Sequence, residues 1–343
     1  MNIAVAGYGY WGPNLARNFA SLDGVTLKAI CDEDSSLLEK ARKNHPLIST
    51  TEDFEDITSD ESIDAVWSID AVCLATPALT HAELGLHALK AGKHVLVEKP
   101  MATTSADCEK MTNEAEKRGL VLMVDHVFAY SGAVRKLAAL ASEKSLGELY
   151  YFDSTRINLG IVRSDVNVLW DLAIHDLSIL FQVNPAEPVA VSASGVSHIK
   201  GKPIDTAYLT LHYDSFFIAH VHVSWLAPVK IRRTTVAGDK KMAIYDDTEQ
   251  AEKLKIYDSG INTKSASSED IKKLLIEYRT GDINSPKLDS SEPLFLAAKE
   301  FYDCVREKKE PLTGAYAGAQ IARVLEAADT SIKQNGQRID LSR

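Results

Sequence analysis

The stretch His94 to Pro100, HVLVEKP, sets an ammonium group at the end of an uncharged run. Val95, Leu96 and Val97 read as a strand buried on both faces of a parallel sheet, and Pro100 stops it. In an open α/β sheet ligands sit outside the carboxyl ends of the strands, so Lys99 faces a cleft and can exchange a proton with a substrate hydroxyl. Taken alone, Glu98-Lys99 reads more simply as a solvated strand-end pair, and it is the company this strand keeps that reverses that reading. A second constellation lies in NVLWDLAIHDLSILF, residues 167 to 181, where Leu169, Leu172, Ile179 and Leu180 mark a helix. Asp171 and His175 stand four apart and share a face. A carboxylate one turn from an imidazole can orient it and stabilise its charged form, as general acid-base work requires; a capping or surface pair has the same spacing.

The elements that must position these groups begin at the N-terminus. Ile3-Ala4-Val5-Ala6 is a short strand, and Gly7-Tyr8-Gly9-Tyr10-Trp11-Gly12 follows it as GxGxxG, with Pro13 in the first turn of the next helix. The first glycine makes the tight turn, the second lets backbone approach a pyrophosphate, and the third allows helix to pack on strand. A second strand, Val25 to Cys31, ends at Asp32, 20 residues beyond Gly12, where a carboxylate accepts hydrogen bonds from ribose hydroxyls. Glu33 and Asp34 follow with no adjacent arginine, so a 2′-phosphate is repelled and NAD is favoured over NADP. Further strands at about 68 to 75, 94 to 98 and 120 to 124 alternate with helices at about 82 to 89 and 105 to 117, a doubly wound pattern. Ser62-Val66 is repeated at once as Ser68-Val72; the second copy belongs to the sheet and the first reads as a short insertion.

From Tyr150 the pattern becomes long alternating strands, at 150–158, 189–199, 205–213, 216–225, 230–237 and 242–257, which predict a mainly antiparallel sheet with one face covered by helices and the other open. Such a face suits a homodimer or homotetramer interface. His220 and His222 point one way along their strand without supporting cysteine or carboxylate, so no metal site is assigned. Residues 258–293 read as a long polar connection, and two amphipathic helices, about 293–307 and 316–334, close the chain.

With 343 residues, 45% of them hydrophobic and 25% charged, the chain is long enough for two domains with cores. Its net charge of −10 argues against a nucleic-acid or anionic-membrane partner. The opening directly on a strand suggests no signal peptide, and no apolar run reaches membrane-spanning length. Four scattered cysteines, Cys31, Cys73, Cys108 and Cys304, fit buried thiols in a reducing compartment, and a cytoplasmic location is expected.

GYGYWG at 7–12, Asp32, ATPALTH at 75–81, VEKP at 97–100 and DLAIH at 171–175 together resemble the glucose-fructose oxidoreductase, inositol dehydrogenase and MocA family (Gfo/Idh/MocA) over essentially the whole chain. The resemblance implies an α/β fold: an N-terminal Rossmann domain, residues 1–125, and an α+β domain, residues 126–343, for substrate binding and oligomerisation. It implies Lys99, Asp171 and His175 as the catalytic set, from two domains. NAD would be held by Gly7, Tyr8, Gly9, Tyr10, Trp11, Gly12, Asp32, Thr76, Pro77, His81, Glu98 and Lys99. Substrate would meet Lys99, His126, Asn158, Arg163, Trp170, Asp171 and His175. Ala173 stands where the family often has glycine, a departure that bears on the packing around His175. GYWGPNLARNF, NLGIVRSDVNVLWDL and YRTGDINSPKL are most similar to members that oxidise nucleotide-linked amino sugars at C3, such as UDP-N-acetylglucosamine or its uronic acid. Arg156, Arg163, Lys230, Arg232 and Arg233 are the candidates for the diphosphate. A free inositol or sugar dehydrogenase, and a non-catalytic NAD-binding sugar sensor, are the alternatives on this scaffold.

Overall fold

The computed structural model describes residues 1–59, 69–160, 163–164, 166–262 and 277–341. The first copy of the tandem repeat, at 62–66, lies outside them, as does Ser68 of the second. Two compact units emerge: residues 1–130 with 291–326, and residues 131–290 with 327–343.

The first unit is built on six parallel strands in the order β3-β2-β1-β4-β5-β6: β1 Asn2–Ala6, β2 Thr26–Cys31, β3 Ser49–Thr51, β4 Ala71–Leu74, β5 His94–Glu98 and β6 Leu122–Asp125. Helices α1 (Gly12–Ala20), α2 (Ser35–Asn44), α3 (Glu55–Thr58), α4 (His81–Lys90) and α5 (Ser105–Arg118) intervene. Ile3, Ala4, Val5, Val72, Cys73, Val95, Leu96 and Val97 are fully buried, as apolar strands covered on both faces must be. Residues 291–326, which the sequence places with the second domain, pack here instead. Their helix α8, Pro293–Glu307, sets Phe301 edge-on to Phe19 at 6.2 Å, and Leu294 and Ala298 join the same core. Removing each of those phenylalanines from water contributes roughly 2 kcal/mol, enough to explain why an amphipathic helix distant in sequence docks on this unit.

The second unit carries nine strands in the order β14-β13-β12-β11-β7-β10-β9-β8-β15: β7 Leu149–Ile157, β8 Ala190–Val196, β9 Thr206–His212, β10 Ile218–Ser224, β11 Ile231–Gly238, β12 Met242–Asp246, β13 Leu254–Asn262, β14 Glu277–Asn284 and β15 Ile339–Asp340. All neighbours are antiparallel except β7 and β10. The single strand expected at 242–257 is two, β12 and β13, paired as a hairpin, and the polar stretch after 258 contributes the end of β13 and all of β14. α6 (Gly132–Ser142) and α7 (Ile174–Val183) cover one face. On the other, Tyr151 of β7, Tyr208 of β9 and Ile218 of β10 are exposed, and Tyr208 stacks on His222 at 4.4 Å. The last helix, α9 (Ala315–Lys333), has residues in both units. Among the described residues, no helix is long and apolar enough to cross a membrane.

Candidate active site

The glycine turn shows what each glycine is for. Gly7 has φ +90°, and a Cβ there would lie 2.5 Å from the Ala75 carbonyl oxygen; at Gly12 it would lie 2.1 Å from the Gly7 oxygen. Both positions are closed to any side chain. At Gly9 a Cβ would meet nothing within 4 Å, so this backbone borders open space into which a pyrophosphate can come close. α1 begins beside it with Pro13 in its first turn, no side-chain cap and no acidic residue there, leaving its positive dipole end for an anion. Asp32 follows β2; its Oδ2 accepts from the Tyr8 amide at 2.6 Å and its Oδ1 from the Asp34 amide at 2.9 Å. The turn, the helix end and the acid fit an adenine dinucleotide. Tyr10 and Trp11 are exposed on the turn, whereas the Tyr8 ring is fully buried core, so Tyr8 serves the turn through its backbone.

At the carboxyl ends of the central strands, the Thr76 hydroxyl accepts from Thr80 at 2.8 Å. His81, expected to touch the cofactor, is 1% exposed. Its ring nitrogens lie 2.8 Å from the Pro100 oxygen and 2.9 Å from the Thr76 oxygen, so it braces the two loops that frame the site. Burial lowers its pKa, and the two carbonyls oppose that only in part. Lys99 follows β5 half-buried, its amide donating to Glu98 Oε2 at 3.2 Å. Glu98 and Asp125 end adjacent strands in direct register, both are buried, and their carboxyl groups hydrogen-bond each other. Two carboxylates bond this way only with a proton between them. His126, next along, is 1% exposed, and among the described residues neither ring nitrogen has a hydrogen-bond partner. Burial first, and the Lys99 charge second, push its pKa down to about 3, so at neutral pH it is the uncharged imidazole, with one donor and one acceptor.

In the second unit, a π-helical turn, Leu169–Ala173, leads into α7 and carries Asp171; His175 sits in the first turn of α7. Such turns recur at functional sites because they displace one residue from the regular ladder. Asp171 lines a cavity of about 380 Å³ together with Asn158, Gly160, Arg163, Leu172 and Trp225. Its Oδ2 accepts from the Trp225 indole at 3.0 Å, and its Oδ1 faces Arg163 Nη1 at 3.6 Å.

Several expected site residues are used otherwise. The Trp170 indole donates to Asp329 Oδ2 at 2.8 Å and the ring is 6% exposed, so it anchors the π turn on α9. Arg156 is fully buried, holding Asp176 through Nε at 2.8 Å and Nη2 at 3.1 Å, and is withdrawn from any diphosphate. Arg232 pairs with Asp247 at 3.2 Å and Arg233 with Asp246 at 2.9 Å. Of the five cationic candidates Arg163 alone lines the cavity. Trp225 was missed: its strand position fixes a facing, but not which acceptor its indole finds.

The description "Oxidoreductase family, NAD-binding Rossmann fold" matches residues 1–126, and the GFO/IDH/MocA C-terminal domain matches residues 134–244. UDP-N-acetylglucosamine 3-dehydrogenase of Acidithiobacillus ferrooxidans is 31% identical over 205 residues, 59% of this chain and 63% of that protein, a little under two thirds of the relative's length. Myo-inositol 2-dehydrogenase of Thermotoga maritima is 27% identical over 71% of this chain and 72% of its own. Among solved structures, levoglucosan dehydrogenase in complex with NADH and levoglucosan superposes with a TM-score of 0.82 at 19% identity over 100% of both chains. The Acidithiobacillus ferrooxidans UDP-N-acetylglucosamine 3-dehydrogenase superposes at 0.77 and 23% identity, over 97% of this chain and 98% of that one. With the glycine turn, Asp32 and the two sheets in place, the chain belongs to the GFO/IDH/MocA oxidoreductase family and carries its NAD-binding Rossmann domain.

Proposed function

We propose that this protein is an NAD-dependent dehydrogenase of a nucleotide-linked sugar, oxidising a ring hydroxyl, at C3, of UDP-N-acetylglucosamine or its uronic acid. The observation that carries the reading is the 31% identity over 205 residues to a UDP-N-acetylglucosamine 3-dehydrogenase; a cavity that pairs a carboxylate, Asp171, with a cation, Arg163, agrees with it. Bound NAD supplies the hydride acceptor. The chain supplies the proton chemistry: Lys99 or His175 takes the hydroxyl proton, Asp171 fixes the orientation of that hydroxyl or of the imidazole, and neutral His126 binds a neighbouring polar group. A positioned base of this kind contributes about 10² to 10⁴-fold. Arg163, 41% exposed at the cavity, is the cation we assign to substrate phosphate or carboxylate.

The test is NADH formation, with thermal shift, across UDP-sugars and free sugars. UDP-N-acetylglucosamine or its uronic acid should give the largest signals. The relationship to a myo-inositol 2-dehydrogenase supports the second reading, and turnover of inositol with UDP-sugars inert would replace the first by it. No NADH with any member would leave a sugar sensor.

The uncovered sheet face around Tyr151, Tyr208 and Ile218 is the surface we assign to a second copy of the chain, in a dimer or tetramer. Sedimentation velocity at micromolar concentration should show no monomer; a monomer would overturn that assignment.

A further inference from the structure

Two of the contacts that Asp171 makes at the cavity are unequal. Arg163 Nη1 stands 3.6 Å from Oδ1, beyond hydrogen-bond length, and its side chain is 41% exposed, so water weakens that attraction. The Trp225 indole lies 3.0 Å from Oδ2 and is 1% exposed. An indole N–H can only donate, so it has no alternative role at this position. Trp225 is itself fixed on both sides. Its amide donates to the Asp205 oxygen at 2.9 Å and its oxygen accepts from the Gly160 amide at 3.0 Å. The Asn158 amide closes the same corner on the Ser224 oxygen at 3.1 Å. A Cβ at Gly160 would lie 2.7 Å from Asn158 Nδ2, the end of a flexible side chain, and 3.3 Å from the Trp225 ring.

We propose that Trp225 is a positioning residue that holds the Asp171 carboxylate in one rotation, so that one oxygen is tied to the indole and the other is kept on the Arg163 side of the cavity. The proposal rests on the reading of Asp171 as part of the catalytic set. The terminal bond of a carboxylate has a broad rotational preference, and a buried donor narrows it before substrate arrives.

Trp225→Phe keeps an aromatic ring in the buried position and deletes only the donor. With NAD and UDP-N-acetylglucosamine as the probe, kcat should fall about tenfold, while KM and NAD affinity stay within about threefold. Asp171→Ala should fall further, and adding Trp225→Phe to it should cost less than about twofold more, because the two changes remove one interaction. Losses that multiply in the double variant, or a Trp225→Phe enzyme as fast as the parent beside a crippled Asp171→Ala, would overturn the proposal and leave the catalytic reading standing. A fully active Asp171→Ala enzyme would instead sink the catalytic reading, and this proposal with it. If Trp225→Phe does not fold, the contact is read directly: in protein labelled with ¹⁵N-tryptophan, the Trp225 indole N–H signal should move on Asp171→Ala, and an unmoved signal refutes the contact.

Discussion

Alanine at Lys99, Asp171 or His175 is expected to lower turnover by about 10² to 10⁴-fold, the range over which a positioned acid or base acts. NAD affinity should stay within a few-fold in all three, because the groups fitted to the dinucleotide, Gly7, Gly9, Gly12, the start of α1 and Asp32, lie elsewhere in the sequence and keep their own contacts. Lys99 follows a strand whose Val95, Leu96 and Val97 are fully buried, so truncating its half-buried side chain removes the ammonium and leaves those core residues in place. His175 and Asp171 stand on a π turn and helix whose core contacts come from Leu169, Ala173 and Ile174, each at most 1% exposed. Steady-state kinetics with calorimetric NAD titration separate the two effects. Unimpaired turnover in both Lys99→Ala and His175→Ala would remove the proton-transfer assignment.

Asp125→Asn is expected to stabilise the protein at pH 8 by about 1 to 3 kcal/mol. Burial first, with the neighbouring carboxyl, pushes Glu98 well above the ordinary carboxylate range; burial brings Asp125 up to about 6, with its hydrogen bond from Glu98 working against the rise. A carboxyl whose pKa is higher folded than unfolded contributes stability that is full below its unfolded value. That contribution is lost as pH rises through the folded one. For Asp125 the window runs from 3.8 to about 6. Asparagine donates to Glu98 without contributing a second acid, so its advantage should be largest above the window and fade below pH 4. Thermal melts of both proteins across pH test this, and an Asp125→Asn protein less stable at pH 8 would show that the pair is not under electrostatic stress.

Local chemistry was the legible part of the sequence. The strand, glycine turn, proline, second strand and acid of residues 3 to 32 each restrict a few neighbours, and β1, α1, β2 and the Asp32 contacts follow that order. What depends on distant partners was not legible. β12 and β13 read as one strand because their alternation resumes across a polar loop, and β14 is held by pairing with β13 rather than by apolar composition. α8 looked like part of the second domain until Phe301 found Phe19. Arg156, Trp170 and Trp225 have side chains that suit either a ligand or an internal acid. Only the tertiary positions of Asp176, Asp329 and Asp171 decide among those uses.

Asp32 serves two purposes. Before any ribose reaches it, both carboxylate oxygens already restrain the backbone, one through the Tyr8 amide inside the glycine turn and one through Asp34. The residue we assign to the ribose, and to the exclusion of an extra phosphate, therefore also keeps the glycine turn in shape. Engineering the protein to accept NADP would demand a replacement strut for that turn as well as a cation, which makes cofactor preference harder to alter here than a single surface charge suggests.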